Sequence, residues 1–230
     1  MPTTPERAHA VVSGASSGIG AAIAAHLLRL GWRVTGLDRA PAALDAGGFT
    51  PVLVDLADRS ATRAAIGRLS GATALVHAAG FLRVGPLGAL DPADGEAMWR
   101  LHVDAASVLA DGLAPTMPAG GRIVLMGSRT AQGAAGRSQY AASKAALVGM
   151  ARSWAAELAP RGITVNVVAP AATDTPMLRD PARGDVTPRL PPIGRFVQPE
   201  EIAALVAFLL SPDAAAITGQ QITVCGGASL

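Results

Sequence analysis

Apolar positions along this 230-residue chain follow two rhythms. Short, largely β-branched runs at 8–12, 33–37, 52–54, 74–77, 122–126, 164–168 and 221–224 read as strands. Runs such as 123–126 are apolar at successive positions, the pattern of a strand covered on both faces. Longer alanine- and leucine-rich stretches with helical patterning lie between them. One extends from the turn after the first strand to about residue 30, and one covers about 95–117. A third carries Tyr140 to about 158, and a last one spans 200–210. Strand and helix alternate, which predicts an α/β fold: a doubly wound sheet of about seven parallel strands flanked by helices. No linker interrupts the pattern, so residues 1–230 are expected to form one domain. The one long irregular stretch, 174–198, is rich in Pro, Arg and Gly, and it is expected to be a substrate loop.

Several of these strands end in chemistry. The first runs into Ser13-Gly14-Ala15-Ser16-Ser17-Gly18-Ile19-Gly20, which opens the first helix. Glycines allow a tight turn and close approach of backbone to a pyrophosphate, and a helix N-terminus offers unpaired N–H groups to it. The second strand ends at Asp38, eighteen residues after Gly20. A carboxylate there can accept from a ribose 2′-hydroxyl and repel a 2′-phosphate, which favours NAD over NADP. The adjacent Arg39 pulls the other way, since a guanidinium can grip a phosphate.

The chain has one tyrosine and one lysine, Tyr140 and Lys144, four residues apart in a helical stretch. Positions i and i+4 share a helix face. An ammonium beside a phenol favours the phenolate, and this makes a usable proton donor and acceptor near neutrality. The other eighteen basic residues are all arginine.

Composition narrows the possibilities. Half the residues are apolar and only 3% aromatic, so the core must be built from Ala, Val, Leu and Ile. The formal net charge is +2, and no basic cluster is interleaved with aromatics, so nucleic acid is not an expected partner. Cys225 is alone, which rules out an intrachain disulfide and fits a reducing compartment. The first residues lack the pattern of a secretory signal, and no apolar run is long enough for a bilayer, so a cytoplasmic protein without a membrane segment is expected. No metal site is expected.

Taken in order, the glycine turn at 14–20, Asp55, Ala78-Ala79-Gly80, Ser128, Tyr140-x-x-x-Lys144 and Pro170 through Thr175 resemble the short-chain dehydrogenase/reductase family across nearly the whole chain. The resemblance implies a Rossmann-like domain, oxidoreduction with NAD or, less expected, NADP, a small-molecule substrate, and a homotetramer or homodimer. The oligomer would be built through the two long helices and the C-terminal helix and strand. It also implies roles. Gly14, Ser17, Gly18 and Ile19 would line the pyrophosphate. Asp38 and Arg39 would flank the adenosine ribose, and Asp55 and Leu56 the adenine. Ala79 and Gly80 would pass under the ribose. Pro170, Thr173 and Thr175 would meet the nicotinamide. Ser128, Tyr140 and Lys144 would be catalytic.

Two positions depart from the family pattern. His77 stands where an asparagine is usual after the fourth strand. His102 stands where an asparagine usually bends the following helix and anchors a relay water. His102 is therefore either a replacement in the proton relay or a packed histidine. Ala171 replaces a usual glycine. Arg83, Arg129, Gln132 and Met177 are the candidate substrate contacts, beside Leu82.

The runs Ala-Ala-Gly-Phe-Leu-Arg and Thr173 through Met177 resemble dehydrogenases of cyclic dihydrodiol acids, which points to a small cyclic diol or hydroxy acid. A 3-oxoacyl carrier-protein reductase is the alternative substrate class. A non-catalytic dinucleotide-binding regulator is the alternative to an enzyme.

Overall fold

The computed structural model describes residues 8–41, 44–181 and 188–230. Residues 182–187 of the expected substrate loop, and the first seven residues read for a secretory signal, lie outside the described residues.

Seven strands, β1 (His9–Ser13), β2 (Arg33–Asp38), β3 (Phe49–Leu53), β4 (Ala74–His77), β5 (Arg122–Met126), β6 (Thr164–Pro170) and β7 (Gln221–Val224), form one parallel sheet in the order β3-β2-β1-β4-β5-β6-β7. The order reverses direction between β1 and β4. In doubly wound sheets that reversal opens a crevice at the carboxyl ends of the strands. One face of the sheet is covered by α1 (Gly18–Arg29) and α6 (Pro199–Leu210) over Val12, Val76, Val124 and Val168. The opposite face is covered by α2 (Arg59–Ile66), α4 (Ala105–Leu113) and α5 (Ser138–Leu158) over Val11, Leu75, Ile123 and Val165. Successive residues of a strand thus enter different cores, and this is why β1, β4, β5 and β6 are buried along their whole length.

Three elements differ from the sequence expectation, each for a physical reason. β3 begins at Phe49 rather than 52, with Pro51 inside it. Proline lacks an N–H and is tolerated only where one ladder is missing, and β3 is the sheet edge. Helix α2 has no strong apolar stripe, since only Thr62 and Ile66 are buried. It is started by Asp58, whose side chain accepts from the Ser60 and Ala61 N–H groups. The helix expected at 95–117 is α3 (Pro92–Trp99) and α4, joined by a π-helical turn at Arg100–Asp104. The irregular segment also holds short structure, a 3-10 turn at Pro176–Arg179.

The chain's lone asparagine is structural. Asn166 in β6 donates to the Ile217 carbonyl at 2.7 Å and accepts from the Gln220 N–H at 3.1 Å, which docks the approach to β7.

Candidate active site

The crevice at the carboxyl ends of the strands is a cleft of about 1450 Å³ that runs from Asp38 and Arg39 past the glycine turn to Ser128, Tyr140 and Met177.

Its first end is made of backbone. Gly14 has φ +71, and its N–H donates to the Leu37 carbonyl at 2.8 Å. A Cβ on Gly14 would stand 2.8 Å from the Ala79 backbone, and one on Gly20 would stand 2.0 Å from the Gly14 oxygen. The turn therefore packs against β4 and back on itself as only glycines permit. Helix α1 starts at this turn with no side-chain cap from Ser17 and no acidic residue in its first turn. Its N-terminal N–H groups and partial positive charge face the cleft, an arrangement suited to a pyrophosphate.

Asp38 closes this end. Its carboxylate accepts from the Ser16 N–H at 3.0 Å and from the Ala40 N–H at 3.0 Å. Each oxygen keeps a lone pair for a further donor. Asp55, Leu56, Ala79 and Gly80 line the middle, and Asp55 is fixed by accepting from the Ala57 N–H at 2.9 Å. Ile19, Pro170, Thr173 and Thr175 line the wall beside α1, and a Cβ on Gly18 would meet the Thr175 methyl at 3.4 Å. These backbone cradles and donors fit a nicotinamide dinucleotide.

The second end is made of side chains. Ser128 leaves β5 as the cap of a 3-10 turn, and its hydroxyl oxygen accepts from the Thr130 N–H at 3.1 Å. Its own proton remains available to donate. Tyr140 and Lys144 project from one face of α5, and both are buried at the cleft wall. The Lys144 ammonium lies 5.9 Å from the Tyr140 ring centroid and donates to the Met126 carbonyl at 2.9 Å. Burial lowers its pKa to about 7.

Behind them sit the two histidines that replace the expected asparagines, and both are fully buried. The Leu101 carbonyl can only accept, so Nε2 of His77, 3.1 Å away, carries a proton. Nδ1 of His77 then accepts from the Ser13 hydroxyl at 2.8 Å, and the Ser13 oxygen in turn receives the Ala78 and Ala79 N–H groups. His102 has the opposite tautomer. Nε2 accepts the Phe81 N–H at 3.2 Å, and Nδ1–H donates to the Ser143 hydroxyl at 2.9 Å. Ser143 passes its own proton to the Tyr140 carbonyl at 2.9 Å. The His102 ring also meets the Tyr140 ring edge-on at 5.6 Å.

Every nitrogen of both imidazoles is thus occupied in the neutral state. Burial, reinforced by the Lys144 charge, lowers His77 to about 3 and holds His102 well below its usual value. His102 does not line the cleft. The π turn supplies the geometry, because it lies where the Leu101 carbonyl meets His77 and the His102 ring meets Ser143.

The other candidates divide. Leu82, Arg83, Arg129 and Met177 line the cleft, whereas Gln132 is exposed and does not. Arg83 lies over the Phe81 ring at 5.0 Å and 3.7 Å from both Asp94 and Asp180, so it bridges α3 to the segment after the 3-10 turn. Sequence reasoning gave no role to Ser13, Ser143 or Arg137. The first two are short hydroxyls, and only contact reveals their work. Among the described residues no cluster of His, Cys, Asp and Glu could hold a metal, and no helix is long and apolar enough to cross a membrane.

The chain is similar to known proteins along nearly its whole length. Residues 14–229 match the family model described as enoyl-(acyl carrier protein) reductase. A cyclic-di-GMP-binding biofilm dispersal mediator protein of Escherichia coli is 37% identical over 94% of each chain. The 2,3-dihydro-2,3-dihydroxybenzoate dehydrogenase of Escherichia coli is 36% identical over 95% of this chain and 96% of its own. A 3-oxoacyl-[acyl-carrier-protein] reductase of Thermotoga maritima is 33% identical over 94% and 96%. A short-chain dehydrogenase from Burkholderia cenocepacia, solved in complex with NADP, superposes with a TM-score of 0.85 at 36% identity, covering 97% of this chain and 98% of that one.

Proposed function

Because the chain belongs to the short-chain dehydrogenase/reductase family, and is thereby an NAD(P)-dependent oxidoreductase of CH–OH or carbonyl groups, we propose that it interconverts a small secondary alcohol and its ketone, with a cyclic diol or hydroxy acid as the favoured substrate. The observation that carries this reading is that Ser128, Tyr140 and Lys144 line the same cleft as the glycine turn, with the Lys144 ammonium on the carbonyl of Met126, two residues before Ser128.

The bound nicotinamide supplies or accepts the hydride. Ser128 donates its spare proton to the substrate oxygen and stabilises charge developing there. Tyr140 gives the proton in reduction and removes it in oxidation. Lys144, whose ammonium has two donors beyond the one spent on Met126, holds a ribose hydroxyl and favours the phenolate. Gly14, Ser17, Gly18 and Ile19 would receive the pyrophosphate, and Thr173 and Thr175 would hold the nicotinamide. His102 is a positioning residue: with both nitrogens engaged it relays no proton, and through Ser143 it fixes the start of α5 at the Tyr140 carbonyl.

Asp38 supports NAD as the preferred dinucleotide, by accepting from a 2′-hydroxyl where a 2′-phosphate would meet its charge. The NADP complex of the Burkholderia relative belongs to that protein's own site. The half-exposed Trp99 on α3 and Phe208 on α6 support a homo-oligomer built through those helices. A purely regulatory role, the other class open to the sequence, leaves the Ser128, Tyr140 and Lys144 arrangement without work.

The test is turnover of a panel of cyclic diols, hydroxy acids and secondary alcohols with NAD or NADP, followed at the absorbance of the reduced dinucleotide. Tyr140→Phe is expected to lower kcat by roughly 10²–10⁴-fold while the NADH dissociation constant changes less than about twofold. A Phe variant of undiminished activity overturns the assignment of Tyr140.

A further inference from the structure

The charge of the cleft is uneven at its reacting end. Asp38 and Asp55 sit at the adenosine end. Further along, the lining carboxylates of Glu96 and Asp180 already face the guanidiniums of Arg100 and Arg83. Arg129 and Arg137 line the same stretch, and neither forms an ion pair with a described residue. Arg129 directly follows Ser128. Arg137 caps the start of α5 with non-helical backbone, and it lines the same cleft as Tyr140 and Lys144.

Arg137 is also half-buried, and its Nε is a buried donor with no hydrogen-bond partner. Buried donors are normally paired, and an orphan requires an explanation. Arg122 carries the other orphaned Nε, but its guanidinium is anchored at the far end of the sheet by the carbonyls of Gly120, Gly121 and Gly162. Arg137 makes no side-chain hydrogen bond to any described residue. The guanidinium of Arg137, half-buried in the wall of the cleft that Tyr140 also lines and unpaired with any described residue, is a receptor for a planar or tetrahedral oxyanion, which it can take end-on through its terminal N–H groups while the covered Nε leaves the side chain underpaired.

We infer that the substrate carries an anionic oxygen group, a carboxylate or a phosphate, received by Arg137 and Arg129 on the side of the cleft that holds Ser128 and Tyr140. The inference rests on the dehydrogenase reading and gives it a substrate charge. Arg137 is the specificity-determining residue, since its guanidinium is the partly desolvated and underpaired one. Arg129 adds charge from the Ser128 side.

The experiment is calorimetric titration of the protein, saturated with NADH or NADPH, by benzoate, phenyl phosphate and benzamide at about 0.05 M ionic strength, where exposed charges are weakly screened. At least one anion is expected to bind ten or more times tighter than neutral benzamide. Arg137→Gln is expected to reduce that preference about tenfold and Arg129→Gln about threefold. Arg137→Lys, which keeps the charge without the fork, should fall between wild type and Arg137→Gln. Benzamide and dinucleotide affinities should move less than about twofold in all three.

A carboxylate-type substrate is indicated if benzoate leads, and a phosphate-bearing one if phenyl phosphate does. The inference is overturned if benzamide equals or exceeds both anions, if none of the three binds, or if the preference survives Arg137→Gln. Failure of both dinucleotides to bind would sink the dehydrogenase reading separately, and the three probes would then be titrated against the protein alone, with the same outcomes deciding the anion site.

Discussion

The two ends of the cleft are built from different materials. At the glycine turn the walls are backbone: Gly14 pressed on Ala79, Gly20 on Gly14, and an α1 N-terminus left without a cap. At the reacting end the walls are side chains, and behind them lies a buried layer of side chains: Ser143 with His102 holds the Tyr140 carbonyl, and Ser13 with His77 holds the Ala78 and Ala79 backbone. Backbone walls depend on what is missing, namely a Cβ. Side-chain walls depend on a closed set of donors and acceptors, where one unmatched proton is costly. The two ends should therefore fail in different ways.

The largest expected effect sits at the histidine end. Unfolded imidazoles take up protons below about 6.5, whereas folded His77 stays neutral down to about 3 and His102 is held well below its usual value. Between these limits the unfolded chain binds more protons, so stability falls as pH falls. The loss is about 1.4 kcal/mol per pH unit for each imidazole. The groups facing the two rings are the Lys144 ammonium, the Tyr140 ring, the Ser13 and Ser143 hydroxyls, the Leu101 carbonyl, the Phe81 N–H and each other, and none is a carboxylate that would reward protonation. Urea unfolding midpoints measured from pH 7 to 4.5 should drop steeply in wild type and less steeply in His77→Asn and His102→Asn. NADH affinity at pH 7 should stay nearly unchanged in both. Equal slopes in all three proteins would mean that the imidazoles are not held neutral.

At the glycine end, Gly14→Ala places a Cβ at 2.8 Å from the Ala79 backbone in a residue with φ +71. Strain of about 1–3 kcal/mol is expected, read as a rise of tenfold or more in the NADH dissociation constant, with the pH slope of stability retained. Gly31→Ala sharpens the contrast. Its φ is +83 but nothing lies within 4 Å of the new Cβ, so it should lower stability without a dinucleotide-specific loss. Dinucleotide affinity in Gly14→Ala equal to wild type would erase the distinction between the two ends.

The smallest effect is expected at Asp38, the carboxylate proposed to select between dinucleotides at the backbone end. Asp38→Ala should shift the ratio of NADH to NADPH dissociation constants about tenfold toward NADPH, near 1.4 kcal/mol. A wild-type protein that binds NADPH more tightly would reverse the assignment of Asp38 and give the lead to Arg39.

The backbone end was legible because its requirement is written in residue type. Glycine spacing after an apolar run, followed by a helical pattern, states both where the chain turns and why. Tyr140 and Lys144 were legible for a similar reason, since helical spacing alone puts them on one face. Helix α2 was not, because its start depends on Asp58 and its buried face is only Thr62 and Ile66. The roles of His77 and His102 were open for a deeper reason. Whether a histidine relays a proton depends on which partner each nitrogen meets, and those partners, Ser13, Leu101, Phe81 and Ser143, come from strands, loops and helices distant along the chain.

Local rules of propensity, periodicity and spacing were enough to specify an α/β chain with a glycine turn opening its first helix and a phenol–ammonium pair on one helix face. The packed molecule alone settled the π turn, the tautomers of the buried imidazoles, the position of Gln132 outside the cleft, and the unmatched donor on Arg137. Periodicity and capping act within a few residues of one another, whereas hydrogen-bond satisfaction and desolvation are properties of groups that only folding brings together.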